Sequence, residues 1–215
     1  MPIKPGKNCE YAIWFFPKNL SLQPVSEQEI NWSNKFSPKR AREFIHSRGY
    51  IRKCISELFC IDRKSVPIFA PPGRPPTLKN GFGNISISHC KDALLIGWSF
   101  NPIGIDIEIA NRSINYERIV KKFFFSEEKR MISEMNFPES KNKFLSLWVL
   151  KEAAIKLQKG SIYKDLENWE IKENKIINNS INKKLFSYCV SYELWKIGVV
   201  FESKLKSASP LICIN

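Results

Sequence analysis

Two short stretches concentrate the residue types that hold divalent cations and phosphate: Ile-Gly-Ile-Asp-Ile-Glu at 103–108 and Trp-Val-Leu-Lys-Glu-Ala-Ala-Ile-Lys at 148–156. The first alternates with period two, which predicts a strand. Ile103, Ile105, Ile107 and Ile109 fall on one face, Asp106 and Glu108 on the other. Two carboxylates side by side on a strand face repel each other, and a cation between them relieves that repulsion. The second stretch predicts a helix, with an apolar stripe of Phe144, Leu147, Trp148, Ala154 and Ile155. Lys151 falls inside that stripe, where a solvated lysine is not expected. Trp148, Glu152 and Lys156 form an i, i+4 row beside it. Mg²⁺ takes a few carboxylates and completes its octahedron with phosphate oxygens and water. The pattern therefore predicts a magnesium–diphosphate site, with Asp106, Glu108 and Glu152 as ligands and Lys151 and Lys156 neutralising the remaining charge.

The elements that must position these residues follow in order. Residues 11–16 predict a buried strand, and 17–24 a loop. Ser26 caps a helix, with Glu29 closing a capping box. Ser37 and Pro38 open a second helix that runs to about residue 60. Lys39, Arg40, Arg42, Arg48, Arg52 and Lys53 decorate it; Arg48 and Arg52 lie one turn apart beside its apolar stripe. Residues 67–76 are rich in proline and form an irregular loop containing Gly73-Arg74-Pro75. Residues 84–89 predict a strand ending at His89, and 92–99 another after a tight turn at Cys90-Lys91. A helix follows around 116–124, and a further one starts near Ser126 with Glu127 and Glu128 in its first turn. Gly160 is a candidate left-handed cap for the Trp148–Lys156 helix. Residues 169–177, 185–190 and 194–201 predict strands.

These motifs resemble the 4′-phosphopantetheinyl transferases of the Sfp-like type. That family carries a Gly-Ile/Val-Asp strand and, forty-odd residues later, Trp/Phe-x-x-Lys-Glu-Ala/Ser-x-x-Lys. Here 41 residues lie between Asp106 and Trp148. Asn-Ile-Ser-Ile-Ser-His at 84–89 matches the family's Asn/Ser-Ile/Leu-Ser-His-Ser, with Cys90 in place of the last serine. Arg48 and Arg52 match the end of its basic helix, and Arg40 aligns more loosely. Arg74 stands at the lysine of its Gly-Lys-Pro. The family's Phe-Ser-x-x-Glu meets Lys129 here, with Glu128 beside it.

The resemblance implies transfer of the phosphopantetheine arm of coenzyme A to a serine of an apo acyl or peptidyl carrier protein, releasing adenosine 3′,5′-bisphosphate. It implies that Arg40, Arg48, Arg74, Ser88, His89, Lys151 and Lys156 contact coenzyme A, His89 at its 3′-phosphate. Mg²⁺ would sit on Asp106, Glu108 and Glu152. The serine needs a base, for which Glu152, Glu128 and a metal-bound hydroxide are candidates, with Lys156 stabilising charge. The expected fold is α+β, in two pseudo-symmetric halves (1–101 and 102–215). Each half is a small sheet packed with helices, and the ligand site lies at their junction.

Composition sets the outer bounds. The chain of 215 residues is 43% hydrophobic with 15 Phe and 6 Trp, which supports a substantial core. A net charge of +13 points to acidic partners. A nucleic-acid-binding protein accounts for that charge but not for the acid pair, and no nucleic-acid motif is present. A magnesium-dependent nucleotide phosphohydrolase accounts for the acids but not for the His89 strand or the Lys-Glu-Ala helix. Cysteines stand at 9, 54, 60, 90, 189 and 213 without metal-ligand spacing, as in reduced cytoplasmic proteins. No signal-peptide pattern or membrane-length apolar run is evident. The expectation is a cytoplasmic monomer without membrane or specific nucleic-acid partners.

Overall fold

The structure is a computed structural model that describes residues 10–17, 19–79, 81–173, 175–205 and 212–214. Cys9, Lys18 of the expected 17–24 loop and Asn174 of the expected 169–177 strand lie outside the described residues. In chain order the first elements are β1 (Tyr11–Pro17), α1 (Glu27–Ser33), α2 (Pro38–Phe59), β2 (Ile68–Phe69), β3 (Thr77–Leu78), β4 (Asn84–His89) and β5 (Ala93–Ser99). There follow β6 (Ile103–Ile109), α3 (Tyr116–Phe123), α4 (Ser126–Ser133), α5 (Glu139–Gln158) and α6 (Ile162–Asp165). The last strands are β7 (Glu170–Lys172), β8 (Lys175–Asn178), β9 (Lys183–Tyr192), β10 (Trp195–Phe201) and β11 (Cys213–Ile214).

Two sheets dominate, one in the order β11-β1-β5-β4 and one in the order β6-β10-β9-β8-β7, with β2 and β3 forming a small hairpin. Alternation along the strands decides how they stack. Trp14, Phe16, Leu94, Ile96 and Trp98 pack with Tyr50, Ile51, Ile55 and Leu58 of α2. The opposite face of the same sheet, Ile13, Phe15, Ala93 and Leu95, packs on Ile103, Ile105, Ile107, Ile197 and Val199 of the second sheet. The outer face of that second sheet carries α5, with Val120, Phe124 and Ile132 of the α3–α4 region against the helix. The layers are therefore helix, sheet, sheet, helix: an α+β fold whose two sheet-plus-helix units meet sheet to sheet. β11 pairs in parallel with β1, so the C-terminal strand joins the first sheet.

Local signals mostly read through. Ser26 and Glu29 form the expected capping box, and Pro38 takes the first turn of α2. Three local details are corrected. The segment 169–177 is a hairpin of β7 and β8, with Glu173 at positive φ in its turn. The left-handed cap of α5 is Lys159, φ 58°, and not Gly160. The cap of α4 is Phe125, whose N–H donates to Glu128 Oε2 at 2.9 Å, so Ser126 is the first helical residue.

Candidate active site at the junction of the two sheets

Asp106 and Glu108 occupy the outer face of β6, as their spacing requires. What brings a helix down onto them is glycine. A Cβ on Gly104 would lie 1.9 Å from the Ala153 carbonyl oxygen, and one on Gly198 would lie 2.4 Å from that of Val149. Gly198 pairs across β10 with Asp106 itself. The backbone of α5 therefore rests directly on both strands, and Glu152 falls over the acid pair. Any side chain at either glycine would lift the helix away.

One ligand oxygen from each of Asp106, Glu108 and Glu152 lies within 4.8 Å of the other two. Asp106 is 2% exposed and Glu152 8%. Burial first, then Asp106, raises the Glu152 carboxyl to about 8, against the partial relief from Lys156. Glu108 is also raised, again chiefly by burial, while Arg112 pulls it back down. Arg112 Nη1 is hydrogen-bonded to Glu108 Oε1. Asp106 Oδ2 is buried without a hydrogen-bond partner among the described residues. Three converging carboxylates, one raised by burial and by its acidic neighbours and one with an orphaned oxygen, are the donor set a hard divalent cation fits.

The other Asp106 oxygen ties the two sheets together. Oδ1 accepts from Ser88 Oγ at 2.6 Å and from Lys156 Nζ at 2.6 Å, and Lys156 also donates to Ser88 Oγ at 2.8 Å. Ser86 and Ser88 accept from the N–H groups of Ile105 and Ile107, at 3.2 and 3.3 Å. Serine hydroxyls thus replace a backbone ladder where β4 runs beside β6. The alternating Ser-Ile-Ser of residues 86–88 is what permits this: Ile85 and Ile87 turn towards α2.

Beside this junction opens a cleft of about 440 Å³, lined among others by Arg40, Arg48, Arg74, His89, Lys156 and Lys159. Arg48 is 7% exposed. Its Nε and Nη2 donate to the Ala70 carbonyl at 3.3 and 3.1 Å, and its guanidinium stacks on Phe44 at 4.2 Å. Desolvation lowers it to about 10 despite Glu29. Arg52 points elsewhere: it is bound to Glu29 at 2.8 Å and to the carbonyls of Arg63 and Val66 at 3.1 and 3.4 Å.

Of the residues singled out in the sequence, Asp106, Glu108, Glu152, Lys156 and Ser88 meet at the junction. Arg40, Arg48, Arg74 and His89 meet in the cleft. Lys151 and Glu128 reach neither. Both are fully buried, 2.9 Å apart, on the far side of α5. Lys151 also donates to the Trp169 carbonyl and lies 4.9 and 5.1 Å from the centroids of Phe124 and Phe125. Glu128 Oε1 accepts from the Ile171 N–H at 2.9 Å. Burial lowers the Lys151 amine, against the attraction of Glu128. A lysine so placed holds the helix to its neighbours and presents no charge to a ligand.

The match with known proteins follows this geometry. Residues 102–208 are matched by the family model of the 4′-phosphopantetheinyl transferase superfamily. That half of the chain is a 4′-phosphopantetheinyl transferase superfamily domain. The chain is also similar to the 4′-phosphopantetheinyl transferase HetI of Nostoc, 26% identical over 153 residues, which is 68% of this chain and 64% of HetI. It is similar to the 4′-phosphopantetheinyl transferase Sfp of Bacillus subtilis, 26% identical over 166 residues, 70% of this chain and 72% of Sfp. The match thus spans just under two thirds of HetI's length.

Within the superfamily domain, sequence reasoning passed over Gly198 and Arg112. A lone glycine in the apolar strand 195–201 is a signal of close backbone approach. Arg112 carried no signal beyond standing four residues after Glu108. Among the described residues, no helix is long and apolar enough to cross a membrane.

Proposed function

We propose that the protein transfers the 4′-phosphopantetheine arm of coenzyme A to a serine of an apo acyl or peptidyl carrier protein, releasing adenosine 3′,5′-bisphosphate. The observation that carries this reading is the placement of the acid trio and Lys156 beside a cleft lined by Arg40, Arg48, Arg74 and His89. A nucleotide with several phosphates needs both parts, and a metal site alone needs only the first.

In this reading the serine oxygen forms a bond to the phosphorus that bears the pantetheine. The bond from that phosphorus to the oxygen bridging the diphosphate breaks, and the serine proton goes to a carboxylate. Glu152 is the candidate base at the reacting centre, because Glu128 is sealed behind α5 with Lys151. A Mg²⁺ ion held by Asp106, Glu108 and Glu152 would supply positive charge to the diphosphate and to the departing phosphate. Lys156, 28% exposed and already aimed at Asp106, donates to diphosphate oxygens from the cleft side. Ser88 holds Asp106 and Lys156 in register. Arg40, Arg74 and His89 receive the nucleotide's phosphates, and Arg48 gives the cleft a fixed positive wall. The leaving group is a phosphate and needs little acid assistance. The protein would act in the cytoplasm as a monomer, without specific nucleic-acid or membrane partners.

Mass spectrometry of an apo carrier protein incubated with this protein, coenzyme A and Mg²⁺ tests the reading. The expected result is a carrier heavier by one phosphopantetheine, with adenosine 3′,5′-bisphosphate formed in equal amount. Coenzyme A cleavage without any gain in carrier mass would replace it with the phosphohydrolase.

A further inference from the structure

The segment between α2 and β4 carries Arg74 to the cleft, and its sequence leaves it few ways to hold itself. Residues 70–76 read Ala-Pro-Pro-Gly-Arg-Pro-Pro. The prolines have no N–H to donate, and each fixes its own φ. The Arg74 N–H donates within the loop, to the Pro71 carbonyl at 3.3 Å. The hairpin at the base of the loop pairs Ile68 with Leu78 and Phe69 with Thr77, and goes no further. Such a loop is stiff within itself and weakly rooted, so one further tie decides where it points.

Arg48 supplies that tie. Its Nε and Nη2 both donate to the carbonyl of Ala70, where the chain leaves β2, and its Nη1 donates to Ser47 Oγ at 3.0 Å. Ala70 is 1% exposed, so water is kept from competing for the bond. The stack on Phe44 fixes the plane of the guanidinium, and the planar fork in turn fixes the carbonyl it grips. One turn further along α2, Arg52 grips the carbonyls of Arg63 and Val66. The two arginines thus hang the stretch from Arg63 to Ala70 along the helix. Beyond Ala70 the prolines carry the direction on to Arg74, which is exposed and lines the cleft with Gly73.

We propose that Arg48 is a positioning residue: it serves nucleotide binding by rooting the 70–76 loop at Ala70, so that Arg74 is in place before the phosphates arrive. This rests on the transfer reading above, in which the cleft receives coenzyme A. A loop already ordered does not have to be ordered by the ligand, and losing that order weakens binding.

Calorimetric binding of coenzyme A, without carrier, tests this in a cycle of Arg48→Gln, Arg74→Gln and the double variant. Each single substitution is expected to weaken binding by about tenfold, as for one lost hydrogen bond to a charged group. The double variant should bind about as weakly as Arg74→Gln alone, because a misplaced loop costs nothing more once Arg74 is gone. In turnover, Arg48→Gln should raise the KM for coenzyme A and change kcat less. Losses that multiply in the double variant would mean that Arg48 meets the coenzyme directly, and would overturn the proposal. Parental affinity in Arg48→Gln would overturn it as well.

Hydrogen exchange separates this role from a general loss of structure. In ligand-free Arg48→Gln, peptides spanning residues 68–78 should exchange faster than in the parent, while peptides of α5 keep the parent rate. Unchanged exchange over 68–78 would sink the tie. If Arg48→Gln does not fold, the parent decides alone. The Arg48 Nε–H should be protected from exchange with water before coenzyme A is added, and rapid exchange would mean that Ala70 is not held. A parent that binds coenzyme A but modifies no carrier would overturn the transfer reading and leave the positioning role standing.

Discussion

Lys151 and Lys156 hang from the same helix, and each is bonded to a carboxylate. Lys151–Glu128 is closed on all sides, with both side chains at 0% exposure. Lys156–Asp106 is open on one side, 28% against 3%. In the first pair every polar atom has a fixed protein partner: two backbone N–H groups on Glu128 and a carbonyl on Lys151. In the second, Asp106 keeps an orphaned oxygen and Lys156 keeps a side facing the cleft. Satisfaction is what separates structure from chemistry here. A fully satisfied buried pair fixes α5 against the α3–α4 region, and a partly satisfied one is left to bind.

The largest expected difference between the two pairs is in stability. Glu128→Ala strands a buried ammonium and two backbone N–H groups. Removing one partner of a buried ion pair costs about 3–5 kcal/mol, out of a total of about 5–15 kcal/mol for a typical domain. Urea unfolding should show a loss of that size. Glu128→Gln/Lys151→Met, which removes both charges, should recover much of it. If Glu128→Ala unfolds near the parent midpoint, the pair does not hold the helix.

Asp106→Asn should do the reverse. Lys156 can turn to solvent when its partner loses charge, so the urea midpoint in the absence of metal should move little. Transfer activity should fall by about 10²–10³-fold, as when a preorganised electrostatic partner is removed from a reacting centre. Near-parental Mg²⁺-dependent activity in Asp106→Asn would remove the acid trio from the mechanism.

Much of the open pair was legible in the sequence, and little of the closed one. Asp106 and Glu108 declare their face by strand alternation, and Trp148, Glu152 and Lys156 theirs by helical spacing; both are local rules. Lys151 declared only that it was out of place in an apolar stripe. Its partners, Glu128 and Trp169, lie on other elements, and no periodicity links them to it. The natural inference from a buried lysine beside a glutamate was a ligand, and the tertiary fold supplied a carboxylate instead. Arg48 and Arg52 repeat the lesson one turn apart on α2. They look alike in sequence, yet Glu29 on α1 takes Arg52 out of the cleft. The stacking of the two sheets was illegible for the same reason. The apolar faces are evident in each strand, but which face meets which is decided by contacts across the chain.

The open pair should also make the chain sensitive to pH, through Glu152. Its carboxyl is raised from 4.5 to about 8 in the metal-free protein by burial and by Asp106. Between those values the folded chain holds a proton that the unfolded chain has released. Stability should therefore fall as pH rises from about 4.5 to 8, and level off above that. Glu152→Gln should flatten this slope and be the more stable protein at the alkaline end. Binding of Mg²⁺ to the parent near neutral pH should release a proton, measurable in weakly buffered solution. A parent and Glu152→Gln with parallel stability–pH curves would place the Glu152 carboxyl in the ordinary range and remove the electrostatic case for a cation there.

The smallest effect sharpens the comparison from the cleft side, at His89. This residue ends β4 and lines the cleft one position after Ser88, whose hydroxyl is committed to Asp106. Adjacent residues of one strand point to opposite faces, so Ser88 faces the junction while His89 lines the cleft. A phosphate beside His89 would favour its protonated form. A hydrogen bond to a charged group contributes about 1.5–3 kcal/mol. His89→Ala should therefore raise the KM for coenzyme A by about ten- to a hundredfold, with a smaller change in kcat. Dephospho-coenzyme A, which lacks the 3′-phosphate, makes the test specific. If His89 meets that phosphate, parent and variant should handle the truncated substrate almost equally, because the contact is already missing. The two losses would then be strongly non-additive. A His89→Ala penalty of the same size with both substrates would assign the histidine to the junction with Ser88, and the cleft would have to recognise the 3′-phosphate through its arginines alone.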